Sequence, residues 1–257
     1  MRGGTAGALA LMAGSAVLAG ATGCGSSSSS GAAPTSSALR QAPAGQRATA
    51  PQPLALRTPS GEDIGAKVTS DALLRSSPGG RTVATVTPRT EFGSPRILAV
   101  VRRKPGWLGV IAPELPNGRI GWIAQRRAQL VSEPVRVRID LGERRLTVLR
   151  RGRAVLRMPV GVGAPGTPTP TGRFAVTDGL RTSPGSVYGC CILALSAHQP
   201  HIAQGWTGGD RIAVHGTTAP STIGEATSHG CLHASDADLR RLLRLATLGA
   251  RVQILSG

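Results

Sequence analysis

Short runs of alternating apolar and polar residues fill the segment from residue 65 to residue 132. A period of two is typical of β-strands with one buried face. Turn-forming residues, such as Pro-Gly-Gly at 78–80 and Pro-Asn-Gly at 116–118, separate the runs. The segment is therefore predicted to be a small antiparallel β unit. Its strands are predicted at 81–86, 97–101, 107–111 and 120–123.

The segment from residue 134 to residue 257 carries further strand-like runs and one helical pattern. The stretch 161–172, rich in Gly, Pro and Thr, is predicted to be loop. A helix is predicted after Ser235, because Ser235 and Asp238 form an N-cap pair and leucines follow at helical spacing up to a stop at Gly249. Strands are predicted at 135–140, 145–149, 154–160, 174–176, 191–195, 211–214 and 251–255.

The N-terminal 60 residues have a different character. Arg2, an apolar run over 6–22 and small residues before Cys24 are typical of a bacterial lipoprotein signal. We therefore expect a signal peptide at 1–23 and lipidation of Cys24, which would anchor the protein to a membrane. An ordinary signal peptide with a chance cysteine is the alternative. Residues 24–60, rich in Ser, Gly, Ala and Pro, are predicted to be a disordered tether.

Composition narrows the class of partner. The formal net charge is +17, which raises the possibility of nucleic acid. The basic residues are spread along the chain without a dense block, however, and there are only 3 Trp, 1 Tyr and 2 Phe to stack on bases. A nucleic-acid partner is therefore not predicted, and the charge suits an acidic surface or substrate better.

The reactive residues are concentrated in two segments. His215 ends an apolar strand, and Cys231 follows it by sixteen residues in Ser228-His229-Gly230-Cys231. A cysteine attacks as thiolate and needs a nearby base to lose its proton. Backbone N–H groups around Gly230 could face the oxyanion that forms during acyl transfer. The two segments together predict a cysteine-dependent acyl-transfer site.

These segments resemble the catalytic domain of the bacterial L,D-transpeptidase (YkuD) family. The resemblance rests on His-Gly-Thr at 215–217, Ser-His-Gly-Cys at 228–231 and Thr-Pro-Thr-Gly-Arg-Phe at 169–174, and it spans about residues 134–256. Upstream, the paired Gly- and Trp-containing strands 106–110 and 118–123 resemble a bacterial SH3-like domain. The resemblances imply a mainly β protein. An SH3-like β-barrel over 61–133 would precede an L,D-transpeptidase-type β-sandwich over 134–257, with one helix after the catalytic cysteine.

The resemblance also implies a role for each site residue. Cys231 would be the nucleophile and His215 its base, while His229, Gly230 and Cys231 would line the oxyanion pocket through their main chain. Ser228 would stabilise the loop, and Tyr188 would contact substrate from a lid-like stretch. His233 departs from the family, which usually has Arg or Asn there, so its support of the loop or of a substrate carboxylate would depend on pH near 6.5.

The implied reaction joins two peptidoglycan stem peptides. Cys231 would release D-alanine from a donor stem and form a thioester, which the diaminopimelate amine of a second stem would resolve as a 3→3 cross-link. Acylation by carbapenems is implied as well, and no cofactor is. The protein would then face the cell wall outside the cytoplasm, held at the membrane by its lipid anchor.

Other interpretations remain open at this point. Water in place of the acceptor amine would make the protein an L,D-carboxypeptidase, and a wall-binding lipoprotein without activity is a further alternative. The imidazoles and the thiol at 215–233 could ligate zinc, although His229 and His233 flank Cys231 too closely to converge easily with it. His198 and His201 have no predicted role. Trp107 and Trp122 are expected in the core.

Two further cysteines, Cys190 and Cys191, open a predicted strand. Neighbouring residues of a strand point to opposite faces, so one of the two is expected to be buried as a small apolar residue. We expect both cysteines, together with Cys231, to be free thiols in the active form.

Overall fold

The computed structural model describes residues 64–202 and 209–257. The predicted signal peptide 1–23, the tether 24–60 and the lipidation site Cys24 lie outside the described residues. Across the described ranges the chain is mainly β, which confirms the predicted fold class. None of the helices found there is long and apolar enough to cross a membrane.

The N-terminal part is a seven-stranded antiparallel sheet in the order β3-β2-β6-β5-β4-β1-β7. Its core is built from aliphatic residues such as Leu74, Leu108 and Ile123. Trp122 is buried as expected, whereas Trp107 is only half-buried and lines a groove on the surface. The four predicted strands are present, and the SH3-like assignment stays a prediction. The strands are β1 Ile64–Val68, β2 Ala72–Arg75, β3 Thr82–Val86, β4 Ile97–Lys104, β5 Trp107–Ile111, β6 Gly121–Ala124 and β7 Ala128–Ser132, with a 3-10 turn at Gln125–Arg127 before β7.

The C-terminal part is an eight-stranded sheet in the order β10-β9-β8-β17-β12-β13-β14-β16. The last strand of the chain, β17, pairs in parallel with β8 and antiparallel with β12, so it lies inside the sheet. Every predicted strand of this segment is present. The eight strands of the sheet are β8 Val135–Asp140, β9 Arg145–Arg150, β10 Arg153–Pro159, β12 Gly172–Arg181, β13 Cys191–His198, β14 Arg211–His215, β16 Leu232–His233 and β17 Arg251–Leu255. Two further strands, β11 Val162–Gly163 and β15 Ala226–Ser228, form a separate two-stranded sheet.

The prediction of loop over 161–172 is wrong at both ends. Val162–Gly163 forms a short parallel pair with Ala226–Ser228, and Gly172 already begins β12. The strand β11 depends on tertiary structure, because its two residues gain backbone partners only when the distant β15 lies beside them. This pair draws the stretch against the segment that carries Cys231.

The single α-helix of the described residues, α1, spans Asp236–Leu245. Ser235 caps it as predicted, since its side chain accepts a hydrogen bond from the Asp238 amide. The helix buries Leu239 and Leu242 in the core of the eight-stranded sheet. A second 3-10 turn, Pro220–Thr222, lies between β14 and β15.

The two sheets contact each other through both apolar and polar groups. Ala99 and Ile111 of the N-terminal sheet pack on Ala175 of β12. The β3–β4 turn, residues 87–96, reaches the C-terminal sheet, where Thr90 Oγ1 donates to Asp178 Oδ1 at 2.5 Å. Gly249, beyond the end of α1, packs so tightly on Ile97 that a Cβ there would lie 2.6 Å from it. The sheets thus meet over a specific surface.

Candidate active site

One cavity of about 500 Å³ brings the candidate residues together. Its lining includes residues from β13, β14, the 228–233 segment and the 180–188 stretch, and one residue from the N-terminal sheet, Phe92. Gly230 is buried between two of the lining residues. The predicted site residues in its lining are Tyr188, His215, Ser228, His229, Cys231 and His233.

His215 is held on the end of β14. The residue is 7% exposed, and its Nδ1 lies 2.6 Å from the Gly216 carbonyl. A carbonyl only accepts, so Nδ1 carries the proton and Nε2 keeps a lone pair that can accept one. Burial, together with the charge of His233, holds the pKa of His215 below its usual 6.5, although the hydrogen bond to Gly216 opposes this. The resting imidazole is therefore neutral and fit to act as a base.

Cys231 is the one free cysteine of the described residues. It is half-buried, and its thiol lies 3.8 Å from the Arg211 carbonyl, to which the S–H donates. Burial raises the pKa of the Cys231 thiol, partly offset by a hydrogen bond from the Ala213 backbone. The resting pair is therefore thiol and imidazole, and the thiolate has to form during attack by transfer of its proton to a base such as His215.

The loop before Cys231 is closed by Ser228. Its Oγ donates to the Cys231 carbonyl at 2.5 Å and accepts from the Gly230 N–H at 3.1 Å. This geometry agrees with the predicted loop-stabilising role. It also changes the prediction for Gly230, because an N–H directed at Ser228 does not face an oxyanion. The oxyanion donors remain a prediction for the His229 and Cys231 amides.

Two buried residues that the sequence did not mark as functional hold this loop in place. Thr169 Oγ1 donates to the Gly230 carbonyl at 2.8 Å and accepts from the Gly163 amide. Gln199 is 2% exposed, and its Nε2 lies 3.1–3.2 Å from the carbonyls of residues 167, 168 and 229. Thr169 lies in the family-like motif, which could have drawn attention to it, whereas nothing in the sequence singles out Gln199.

Gly230 has to be glycine for two reasons. Its φ of +115° is in a region that L side chains rarely adopt. A Cβ there would also lie 2.2 Å from Gln199 Nε2 and 3.1 Å from Ile212 Cδ1. The tight turn before Cys231 thus depends on this residue.

His233 lies beside the proposed base, with ring centroids 5.1 Å apart. Its Nδ1 is 2.8 Å from Thr222 Oγ1, whose hydroxyl in turn donates to the Ala219 carbonyl. Burial, reinforced by the charge of His229, holds the pKa of His233 below 6.5. The residue is therefore neutral at pH 7, so it can support the loop but brings no formal positive charge to a substrate carboxylate.

Tyr188 packs edge-on against the His215 ring, with centroids 5.0 Å apart. Its carbonyl accepts from the Gly216 amide at 2.8 Å, and Gly189 and Gly216 approach so closely that neither has room for a side chain. The 180–188 stretch is thereby fastened to the strand end that carries His215, and the aromatic ring forms part of the cavity wall.

The expectation of three free thiols is wrong for Cys190 and Cys191, which form a disulfide. The strand β13 begins only at Cys191, so Cys190 is not bound by strand alternation and the two sulfurs can meet. Cys191 is buried as predicted for one of the pair. The disulfide lines a second cavity, of about 1160 Å³, beside α1.

His198, for which the sequence suggested no role, joins the two sheets. Its Nδ1 lies 3.0 Å from Asp210, and its Nε2 lies 2.6 Å from the carbonyl of Pro113, in the loop between β5 and β6. Asn117 completes this contact by bonding both the carbonyl and the amide of His198. His201 is exposed. Among the described residues, no group of three or more His, Cys, Asp or Glu side chains is placed to hold a metal ion.

Comparison with known proteins matches residues 134–254 to the family model of the L,D-transpeptidase (YkuD) catalytic domain. The curated proteins of Bacillus licheniformis and Bacillus subtilis that bear the name L,D-transpeptidase YkuD are 32% and 31% identical over 121 residues. Each alignment covers 47% of this chain and 66% of the relative, so the chain spans about two thirds of the length of those relatives.

Similar solved structures include L,D-transpeptidase 3 of Mycobacterium tuberculosis in complex with a faropenem-derived adduct. It is 17% identical, with a TM-score of 0.40 over 53% of this chain and 73% of the other.

Proposed function

We propose that residues 134–254, which match the family model of the L,D-transpeptidase catalytic domain, form 3→3 cross-links between peptidoglycan stem peptides through a Cys231 thioester. The observation that carries the proposal is the cavity shared by Cys231 and a neutral, buried His215 whose Nδ1 is committed to a carbonyl. That arrangement leaves Nε2 to take and return a proton.

In the proposed first step, Cys231 Sγ attacks the L,D peptide carbonyl of a donor stem while its proton passes to His215 Nε2. Collapse of the tetrahedral intermediate breaks the C–N bond. His215 then returns the proton to the departing D-alanine amine, and the acyl group remains on sulfur as a thioester.

In the second step, a diaminopimelate amine of another stem attacks the thioester carbonyl. It loses a proton to His215, and the thiolate leaves and is reprotonated. Water in place of the amine gives the L,D-carboxypeptidase reaction.

The neutral His233 leaves recognition of stem carboxylates to other groups, and the positive charge of the chain suits such a substrate.

The nucleophile is tested by the intact mass of the purified full-length chain after incubation with a carbapenem, beside a Cys231→Ala control. We expect one adduct on the native protein and none on the variant. Absence of an adduct on folded native protein would contradict acylation at Cys231. Incubation with a tetrapeptide stem then distinguishes the two activities. A cross-linked dimer as the product would indicate a transpeptidase, and a tripeptide would indicate a carboxypeptidase.

We also propose that the protein is a lipoprotein that faces the cell wall. The basic start, the apolar run and Cys24 support this. In cells given a radiolabelled fatty acid, we expect label on the native chain and none on Cys24→Ala. Equal labelling of both would contradict lipidation at Cys24.

A further inference from the structure

Phe92 is an exposed aromatic side chain. It lies in the β3–β4 turn of the N-terminal sheet and is 51% exposed, although the protein has only 2 Phe. Exposure of a large apolar side chain is informative when the residue lines a cavity. Phe92 lines the Cys231 cavity.

Much of the lining that Phe92 shares is apolar. Val187, which is also exposed, comes from the stretch beside Tyr188 and lines the same cavity. The other apolar residues of the lining are Leu180, Ile192, Ala194, Ile202, Ile212 and Ala213. A wall of this composition binds the aliphatic part of a ligand and leaves polar recognition to the residues around Cys231.

The turn that carries Phe92 is held by buried polar contacts on both sides. Within the turn, Arg96 bonds the Thr87 and Arg89 carbonyls and forms a 2.5 Å ion pair with Glu114. Towards the C-terminal sheet, Thr90 donates to Asp178. A turn fixed in this way can present one side chain in a defined position.

The turn is also joined to the strand that carries the site. Glu91, next to Phe92, forms a 2.5 Å ion pair with Arg211. Arg211 begins β14, and its carbonyl accepts from the Cys231 thiol. The N-terminal sheet therefore contributes to the wall of the cavity and contacts the strand on which the thiol rests.

We propose that Phe92 is a substrate-contacting residue of the Cys231 cavity, packing on the aliphatic side chain of the stem residue whose carbonyl Cys231 attacks. This inference rests on the proposed function. The attacked residue must lie beside Sγ, and in a stem peptide it is the diamino acid, whose methylene chain suits an apolar wall. Its charged end would lie near the ion pair of Arg211, which lines the cavity, with the exposed Glu91.

The test compares donor turnover by the native full-length chain, Phe92→Ala and Phe92→Leu, measured as D-alanine release. Loss of a contact made equally in ground and transition states raises KM and spares kcat. We expect KM to rise about tenfold in Phe92→Ala, with kcat within about twofold, and most of the loss to be recovered in Phe92→Leu. Leu73→Ala, at an exposed site in another groove of the same sheet, is the matched control and should leave both constants unchanged.

A second donor, with the diamino acid replaced by alanine, identifies the contact. With this peptide, the difference in KM between the native chain and Phe92→Ala should disappear. An unchanged KM in Phe92→Ala, or a difference that persists with the alanine peptide, overturns the inference while the proposed function stands. The inference is also overturned, and the proposed function still stands, if kcat and thermal stability fall in Phe92→Ala and are not recovered in Phe92→Leu. No turnover by the native chain overturns the proposed function, and the inference with it.

Discussion

The two sheets have similar aliphatic cores, but the irregular segments that their buried polar side chains hold carry different groups. In the N-terminal sheet, Thr90 and Arg96 are buried at the turn that reaches the other sheet. In the C-terminal sheet, Thr169, Gln199 and Ser228 are buried around the loop that carries Cys231. Buried polar groups need partners, and irregular backbone offers unpaired carbonyls and amides. Buried polar side chains thus hold irregular segments in both sheets, but the reactive groups lie only in the second.

The largest expected effect comes from the C-terminal sheet alone. Replacing His215 by Ala removes the proposed base, so kcat should fall about 10³-fold. D-alanine release at saturating donor measures this. His201→Ala, at an exposed histidine outside the cavity lining, should retain full activity. Activity of His215→Ala near the native level would show that the second sheet does not supply the base.

A smaller loss is expected when the loop is disturbed but its reactive groups are kept. Gly230→Ala puts a Cβ against Gln199 and demands an unfavourable φ, so it should cost about 2 kcal/mol of unfolding free energy and about 10- to 100-fold in activity. Urea unfolding and donor turnover give the two values. Gly166→Ala, where a Cβ meets nothing, is the control, and equal behaviour of the two variants would refute the strained loop.

In the N-terminal sheet, a substitution should lower stability more than activity, in contrast to His215→Ala. Arg96→Ala leaves Glu114 without its partner and releases the β3–β4 turn, so unfolding free energy should fall by about 2 kcal/mol. The activity loss should be confined to a severalfold rise in KM, since no reacting group moves. Arg103→Ala, at an exposed arginine of β4, should change neither quantity. A fall in kcat as large as that of His215→Ala would remove the distinction between the sheets.

The smallest effect is a pH dependence of stability that belongs to the C-terminal sheet. His215 and His233 have pKa values below their usual 6.5, so the unfolded chain binds more protons as the solution is acidified. Their contribution to stability is complete above pH 6.5 and is lost as the pH falls below it. The pKa of Cys231 is raised, so its contribution is lost above about pH 9.0, where the unfolded thiol ionises first.

Thermal unfolding between pH 5 and pH 8 measures the histidine part. The melting temperature should depend less steeply on pH in His215→Gln, because glutamine is not protonated in this range. An equal dependence of the melting temperature on pH in the variant and in the native chain would assign the acid sensitivity to other groups.

The sequence was sufficient for much of the regular structure. Alternation predicted strands such as Val135–Asp140 and Arg251–Leu255 with the observed bounds, and Ser235 with Asp238 predicted the start of α1. These features depend on neighbours within a few residues. The assignment of Cys231 and His215 to one site also came from the sequence, through motifs whose residue types and spacing are specific.

Only the tertiary structure decided what lies beside those motifs. Gln199 reaches the 229 carbonyl, His198 reaches Pro113 and Phe92 reaches the Cys231 cavity across long stretches of chain. The pairing of Cys190 with Cys191, the lowered pKa of His233 and the engagement of the Gly230 amide by Ser228 likewise follow from local geometry and burial. Hydrophobic alternation records which face of a strand is buried, but not which distant segment covers it. Sequence therefore determined the strands and pointed to the proposed pair of Cys231 and His215, and tertiary packing determined how that pair is held and what surrounds it.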